Sequence, residues 1–191
     1  MRMYLTIDQL RSRTPNAHIY TREHDSHRVF YAGKKCTVFL SHRHDDLAQL
    51  KQVANLLEQI DTLVYVDWLD PSMPTYTCGK TADNIKMKIR QYDKFILIAT
   101  DGAIASKWCN WEVGYGDAQK YDSEKIALFP LKQDENTNWK GNEYLELYPV
   151  IEYFNGYCTR EGFTTPFYEG YYVVYNYGEK KAIKLKEWLN R

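Results

Sequence analysis

A single carboxylate lies among aromatic and small residues in the segment SKWCNWEVGYGDAQKYD, which spans residues 106–122. Helical periodicity over this segment predicts an amphipathic helix, with Glu112 near the middle of its apolar face. Its neighbours on that face are Trp108, Cys109, Tyr115 and Gly116. An ionised carboxylate is costly to bury unless it is paired, so Glu112 is expected to have either a structural contact or a chemical role. These residues alone leave both interpretations open.

A second group of polar residues, SHRHDD, fills positions 41–46 directly after an apolar run. A strand-to-helix turn of this kind offers backbone N–H groups to an anion, and an arginine adds a phosphate donor. We therefore predict that Ser41, His42 and Arg43 bind a phosphate or a ribose. The adjacent carboxylates are equally well explained as helix caps, and the third strand offers no clear partner ligand for a metal ion, so no metal site is predicted.

Three further residues follow the next apolar run and the proline-rich loop after it. Asp67 could bind ribose hydroxyls or simply start a turn, and Trp68 could stack on a heterocycle or fill the core. Lys80 could contact a phosphate or lie in solvent. All three are retained as candidate ligand-binding residues.

Predicted strands and helices alternate along the chain, and their order determines where these residues lie. Short apolar runs predict strands, and helical periodicity predicts helices in the segments between them. The strand–helix unit repeats about every 30 residues. The predicted strands are 36–40, 63–66, 95–99 and 126–131, and the predicted helices are 45–60, about 82–92 and 106–122. This order predicts an α/β fold of flavodoxin-like layout, in which a parallel sheet is covered by helices on both faces. The loops after the first three strands then meet at the carboxyl edge of the sheet, where ligands bind in such folds.

The two ends of the chain are harder to interpret. Near the start, IDQLRS predicts a short helix, and TREHDSHR is equally consistent with an irregular extension or an edge strand. In the tail, YYVVYNY predicts an added strand with one covered face, and EKKAIKLKEWLN predicts a closing helix. We divide the chain into an N-terminal extension (1–34), a central domain (35–150) and a C-terminal strand and helix appendage packed on it (151–191).

The overall composition narrows the class of protein. The 25 basic residues balance the 25 acidic ones, so neither a nucleic acid nor a membrane surface is predicted as a partner. The four cysteines are widely spaced and suggest free thiols rather than a disulfide or metal framework. No glycine-rich dinucleotide motif, P-loop or nucleophile-elbow sequence occurs. Without an apolar leader or spanning segment, the protein is expected in the cytoplasm.

Several of these features together resemble the TIR (Toll/interleukin-1 receptor) domain. They are a first strand ending VFLSH, a second strand followed by a long proline-containing loop, a third strand, and then a helix bearing SKWCNWE. The resemblance covers roughly residues 35–132 and continues towards 150. It implies a three-layer fold in which the proline-containing loop is the BB loop of the family.

The resemblance also implies a reaction. In catalytic members the glutamate of this helix motif cleaves the bond between nicotinamide and ribose in NAD, which assigns Glu112 as the catalytic residue and places Trp108 in the pocket wall. NAD is then the substrate, and no cofactor is required. The loop beginning at Ser41 would receive the ribose or the phosphates, Asp67 would complete the cleft, and the BB loop would act as a lid.

A short TIR protein of this kind is similar to the sensor component of the bacterial Thoeris antiphage systems. That similarity implies self-association through TIR contacts, a cyclic ADP-ribose isomer as product, and a separate effector protein that the nucleotide activates. Two alternatives remain: a non-catalytic TIR scaffold that signals by assembly, and an enzyme resembling nucleoside deoxyribosyltransferases, which also use a glutamate at a glycosidic bond.

Overall fold

The computed structural model describes residues 4–15, 36–67, 70, 78–139 and 141–191. The strands in these ranges are β1 (Leu5–Thr6), β2 (Thr37–Ser41), β3 (Leu63–Tyr65), β4 (Lys94–Ala99), β5 (Ile126–Lys132), β6 (Val150–Phe154), β7 (Gly170–Tyr175) and β8 (Lys181–Lys184). The helices are α1 (Ile7–Arg13), α2 (Leu47–Glu58), α3 (Gly79–Gln91), α4 (Asp101–Ala105), α5 (Lys107–Lys120) and α6 (Leu185–Leu189). The four predicted central strands, the three predicted central helices and the short N-terminal helix are thereby confirmed.

One sheet organises these strands in the order β3-β2-β4-β5-β6-β7-β8, and β1 pairs with β5. The neighbours from β3 to β6 run parallel, whereas β7 and β8 are antiparallel to their neighbours. This arrangement confirms the predicted α/β fold with a mostly parallel sheet. The antiparallel pair extends the sheet with residues of the tyrosine-rich tail.

Helices cover both faces of the sheet, and β4 shows this most directly. Ile96 and Ile98 pack in the cluster that contains α1, α2 and α6, while Phe95 and Leu97 pack in the cluster beneath α3, α4 and α5. All four side chains are fully buried. A strand buried on both faces explains why FILIA is a continuous apolar run rather than an alternating one.

The strand and the helix predicted for the tail have different outcomes. The strand predicted from YYVVYNY is present as β7, but the closing helix predicted from EKKAIKLKEWLN is wrong in its first half. Residues Lys181–Lys184 form β8 there because the exposed edge of β7 provides a pairing partner that local periodicity does not reveal. The helix α6 is confined to Leu185–Leu189. The segment 21–28, for which two interpretations were left open, lies outside the described residues.

Two local details also differ from expectation. The segment TDGAIAS, expected as a loop, contains the short helix α4, which Thr100 caps by accepting a hydrogen bond from the Ala103 N–H at 3.0 Å. Asp46 occupies the N-cap position of α2, yet its side chain makes no capping hydrogen bond there. Its carboxylate instead accepts a hydrogen bond from the Thr100 hydroxyl at 2.5 Å. This contact joins the loops that follow β2 and β4.

Candidate active site

The helix α5 positions Glu112 through its start and its packing. Ser106 caps the helix by accepting a hydrogen bond from the Cys109 N–H at 3.3 Å. One turn after Glu112, Gly116 lies against the Phe95 ring of β4 so closely that an added Cβ would be 3.1 Å from a ring carbon. The missing side chain lets α5 approach the sheet. The face that carries Glu112 is therefore turned towards the ends of the central strands.

Glu112 and Ser41 form a buried pair between α5 and the last residue of β2. The Ser41 hydroxyl donates to Oε2 of Glu112 at 2.5 Å, and the two residues are only 1% and 3% exposed. The Trp108 side chain, one helical turn earlier, lies close enough to the carboxylate to influence its ionisation. The carboxylate is thus held in a fixed position at the carboxyl edge of the parallel sheet.

The surroundings of Glu112 oppose its ionisation. Burial is the main cause, and the nearby Asp67 carboxylate acts in the same direction, while the hydrogen bond from Ser41 and the nearby Trp108 side chain favour the ionised form. The balance raises the pKa of Glu112 from an ordinary value near 4.5 to about 8. At pH 7 the side chain is therefore mostly protonated when no ligand is present.

His42 and Asp67 lie beside this pair. The Nδ1 atom of His42 is 3.2 Å from the Leu40 carbonyl oxygen, which can only accept, so Nδ1 carries the proton. Burial lowers the pKa of His42, which keeps the ring neutral at pH 7. Its Nε2 atom is 3.9 Å from Oδ1 of Asp67, too far for a hydrogen bond. The side chain of Asp67 is 32% exposed, so this carboxylate is accessible from solvent.

The remaining predicted ligand-binding residues are placed differently. Arg43 is paired with Asp45 at 2.6 Å, and its side chain crosses Gly102 at the start of α4. Lys80 is exposed in the first turn of α3. Trp68 lies outside the described residues. Among the described residues, the structure thus gathers Ser41, His42, Asp67 and Trp108 around Glu112, but it shows no contact of Arg43 or Lys80 with them.

An aromatic row accompanies Glu112 along α5. The rings of Trp108 and Trp111 have centroids 5.1 Å apart, and those of Trp111 and Tyr115 are stacked at 6.3 Å. Lys86 of α3 lies 5.8 Å and 5.6 Å from the centroids of the Trp111 and Tyr115 rings. All three aromatic residues are half-buried. Flat apolar surface is therefore available next to the carboxylate.

Sequence reasoning missed a residue that borders the same edge. The Trp139 indole donates to the carbonyl oxygen of Ala99, the last residue of β4, at 2.6 Å, and its ring meets Tyr4 edge-on. Trp139 comes from the polar loop KQDENTNWKGNE, which has no periodicity to indicate where an aromatic side chain would pack. No signal in the sequence could have placed it at β4.

Over the described ranges, no helix combines the length and the apolar character that crossing a membrane requires. In the same ranges, no group of three histidine, cysteine, aspartate or glutamate side chains is arranged to hold a metal ion.

The fold and the position of the site define the class of protein to which the chain belongs. A family model for the TIR domain matches residues 38–162, which is more than half of the chain and includes β2, α5 and Glu112. The chain therefore belongs to the TIR-domain family. The match extends beyond residue 150 into the tail, where β6 lies in the same sheet as the central strands.

One curated relative is similar over much of this region. The chain is 29% identical over 117 residues to a protein of Bacillus cereus (strain MSX-D12) named "Probable 3' cyclic ADP-D-ribose synthase ThsB'". The aligned region covers 60% of this chain and 59% of that relative. The similarity thus spans about three fifths of either protein.

Proposed function

We propose that this TIR protein cleaves the bond between nicotinamide and ribose in NAD, with Glu112 as the catalytic carboxylate. The observation that supports this most is the buried Ser41–Glu112 pair at the carboxyl edge of the sheet. Ligand sites of open parallel sheets form at this edge. A carboxylate held there, in surroundings that oppose its ionisation, gains most when a cationic ligand arrives.

The chemistry follows from the charge of the substrate. The nicotinamide ring of NAD is cationic, and breaking the glycosidic bond moves its electron pair to the ring nitrogen, so that nicotinamide leaves as a neutral molecule. Positive charge then develops on the ribose carbon that was bonded to it. A cation beside Glu112 lowers the pKa of the carboxyl group, which releases its proton. The ionised carboxylate stabilises the developing charge without any metal ion.

The neighbouring residues have separate roles in this proposal. Ser41 keeps the carboxylate oriented and favours its ionised form. His42 and Asp67 present a neutral nitrogen and an accessible carboxylate to ribose hydroxyls. Trp108 offers a flat apolar wall to the leaving ring. Arg43, Lys80 and Trp68 are proposed to contact the phosphates and the adenine end of NAD.

The finer part of the proposal concerns the product and its use. After nicotinamide leaves, a hydroxyl group or an adenine nitrogen of the same molecule attacks the ribose carbon, and closure of the ring yields a cyclic ADP-ribose isomer. A hydroxyl loses its proton to solvent in this step. The name of the Bacillus cereus relative, "Probable 3' cyclic ADP-D-ribose synthase ThsB'", supports this product. We further propose that the nucleotide signals to a separate effector in antiphage defence and that the enzyme acts in a self-associated state.

The decisive experiment is the reaction of the purified full chain with NAD, followed by mass spectrometry of the products. We expect free nicotinamide together with a cyclic ADP-ribose isomer, and loss of at least about a hundredfold in rate for Glu112→Gln. Glu161→Gln removes an exposed carboxylate outside the site and should react like the wild type. A series of protein concentrations tests the requirement for self-association, because activity per molecule should then rise with concentration.

Four outcomes would contradict parts of this proposal separately. Equal rates for Glu112→Gln and the wild type would remove Glu112 from the catalytic role. Linear ADP-ribose as the sole product would exclude cyclisation. Turnover of deoxynucleosides without NAD cleavage would favour the deoxyribosyltransferase-like alternative, and assembly without turnover of either substrate would favour the scaffold.

A further inference from the structure

A small cavity lies at the edge of the sheet opposite Glu112. It occupies about 290 Å³ between the end of α5, the starts of β5 and β8, and the end of β7. The parallel strands β2, β4 and β5 have their carboxyl ends at the candidate active site, so the start of β5 at Ile126 belongs to the other edge. Tyr121, which lines the cavity, follows Glu112 by nine residues, or about 14 Å along a helix axis.

Three large apolar side chains are exposed on the walls of this cavity. Tyr177 is 61% exposed, and Tyr121 and Leu147 are each 38% exposed. Tyr177 is presented at the turn between β7 and β8, where Gly178 adopts a φ of +67°. Exposed apolar side chains gathered around one concavity, rather than scattered, are typical of an interaction surface.

The charge of the lining is acidic. Three carboxylates, those of Asp122, Glu124 and Glu179, face a single lysine, Lys181. Lys181 is ion-paired with Glu124 and lies 4.6 Å from the centroid of the Tyr175 ring. In the described part of the chain, Asp122 and Glu179 have no ion-pair partner.

Lys181 indicates which chemical group would suit the cavity. One part of the lining, Tyr175 with Glu124, already binds a cation through an aromatic face and a carboxylate. The other part repeats these groups, since Tyr121 and Tyr177 stand with Asp122 and Glu179, but it has no basic side chain of its own among the lining residues. Aromatic faces and carboxylates together favour a guanidinium group, which stacks and donates in one plane.

We propose that this cavity is a docking site for an arginine side chain carried on an apolar segment of a partner protein. Its volume suits one side chain better than a drug-sized ligand, for which pockets are larger. Leu147 and Pro149 would pack against the apolar neighbours of that arginine. Because the cavity opens at the edge away from Glu112, the partner would bind while leaving the candidate active site accessible.

The test is an NMR titration of the full, ¹⁵N-labelled chain with the tripeptide Ac-Leu-Arg-Leu-NH₂. The matched probe replaces arginine with citrulline, which keeps the shape and removes the charge. We expect saturable shifts confined to the amides of residues 121–126, 147–148 and 175–181. The affinity of the citrulline peptide should be lower by a factor of about five or more.

Two double variants locate the interaction. Asp122→Asn with Glu179→Gln should weaken binding of the arginine peptide about fivefold. Asp83→Asn with Glu161→Gln makes the same change in net charge at exposed positions away from the cavity and should bind like the wild type. Dispersed amide spectra confirm that each variant is folded.

Several results would overturn the proposal. Equal shifts with both peptides, unchanged binding by the first double variant, or shifts centred elsewhere would each remove the arginine site. Shifts of the same amides on simple dilution, with no peptide present, would assign the surface to a second copy of this chain instead.

Discussion

At the scale of single residues, Ser41 is the neighbour that most favours the ionised form of Glu112. The serine hydroxyl stabilises the ionised carboxylate, so it holds the pKa of Glu112 below the value that burial alone would impose. Both groups are buried, which makes the hydrogen bond to a charged acceptor worth about 1.5–3 kcal/mol. The hydrogen bond between Ser41 and Glu112 therefore influences whether Glu112 is ionised in the proposed reaction.

Replacing Ser41 with alanine tests this link. The pKa of Glu112 should rise above about 8, and the ascending limb of the pH profile of kcat/KM for NAD cleavage should move to higher pH. We expect about tenfold lower activity at pH 7, and partial recovery above pH 9. Ser41→Thr, which keeps the hydroxyl, is the matched control. An unshifted profile for Ser41→Ala would show that the hydroxyl does not tune Glu112.

The raised pKa of Glu112 also predicts an effect on stability. A carboxyl group whose pKa is about 8 when folded and near 4.5 when unfolded binds a proton more tightly in the folded state. The free energy of unfolding therefore falls as pH rises from about 4.5 through about 8. Between pH 6 and 8.5 this group should lower the stability of the wild type by about 2–3 kcal/mol.

Glu112→Gln removes the titrating group and should lack this decrease. Urea unfolding of both proteins at pH 6 and pH 8.5 measures the difference, and the glutamine variant should be the more stable of the two at pH 8.5. Parallel pH dependence in both proteins would mean that Glu112 titrates normally. Since the same substitution should abolish NAD cleavage, stability and activity would change in opposite directions at one residue.

At the scale of elements, the distance between α5 and β4 sets the position of Glu112. Two glycines of α5 allow the effect of packing on stability to be measured separately from the effect of helix propensity. Gly116 touches Phe95, whereas Gly114 is exposed and has no atom within 4 Å of an added Cβ. The two positions lie on the same helix, two residues apart.

We expect opposite effects from substituting these glycines. Gly114→Ala should raise the free energy of unfolding by about 0.5–1 kcal/mol, because alanine is the better helix former. Gly116→Val should lower it by about 1–3 kcal/mol, because the larger side chain overpacks against Phe95. Gly116→Val should also reduce NAD cleavage by moving Glu112 away from Ser41. Chemical denaturation and NAD turnover check the pair, and equal stability changes would show that α5 is not held by this contact.

The strands and helices differ in how well the sequence alone predicts them. Strands such as β4 are apolar throughout because both faces are buried, and α2 has clear helical periodicity, so local patterns suffice. The sequence KAIKLKEWL has helical spacing as well, yet its first half pairs with β7. Tertiary pairing outweighs local propensity where a strand edge is available.

The candidate site could be predicted from the sequence in part. The order of strands and helices, which the sequence predicts, places Ser41, Asp67 and the helix of Glu112 at one edge of the sheet. The hydrogen bond between Ser41 and Glu112, 71 residues apart, depends on the packing of Gly116, which no local pattern reveals. Arg43 is predicted to bind phosphate from its residue type, and that role stays a prediction; its ion pair with Asp45, two residues later, is a contact that the residue type does not reveal.

At the scale of the whole molecule, the tail forms part of the same sheet and the same apolar clusters as the central strands. Trp188 of α6 is 1% exposed, and its indole donates to the carbonyl oxygen of Glu124 at 2.9 Å. Lys94 of β4 is also buried, with its ammonium 4.5 Å from the centroid of the Trp188 ring. The C-terminal helix therefore covers the start of a central strand.

These contacts predict that the tail and the TIR core unfold together. Trp188→Ala should lower the free energy of unfolding by about 3–5 kcal/mol, since it removes a fully buried indole and leaves a cavity beside Lys94. Tyr157→Ala, at a side chain that is 68% exposed, is the control and should change stability by less than about 0.5 kcal/mol. Hydrogen exchange followed by mass spectrometry should show β4 and β8 losing protection together in Trp188→Ala. Loss of protection confined to residues 170–191, with β4 unchanged, would instead make the tail a separately folding appendage.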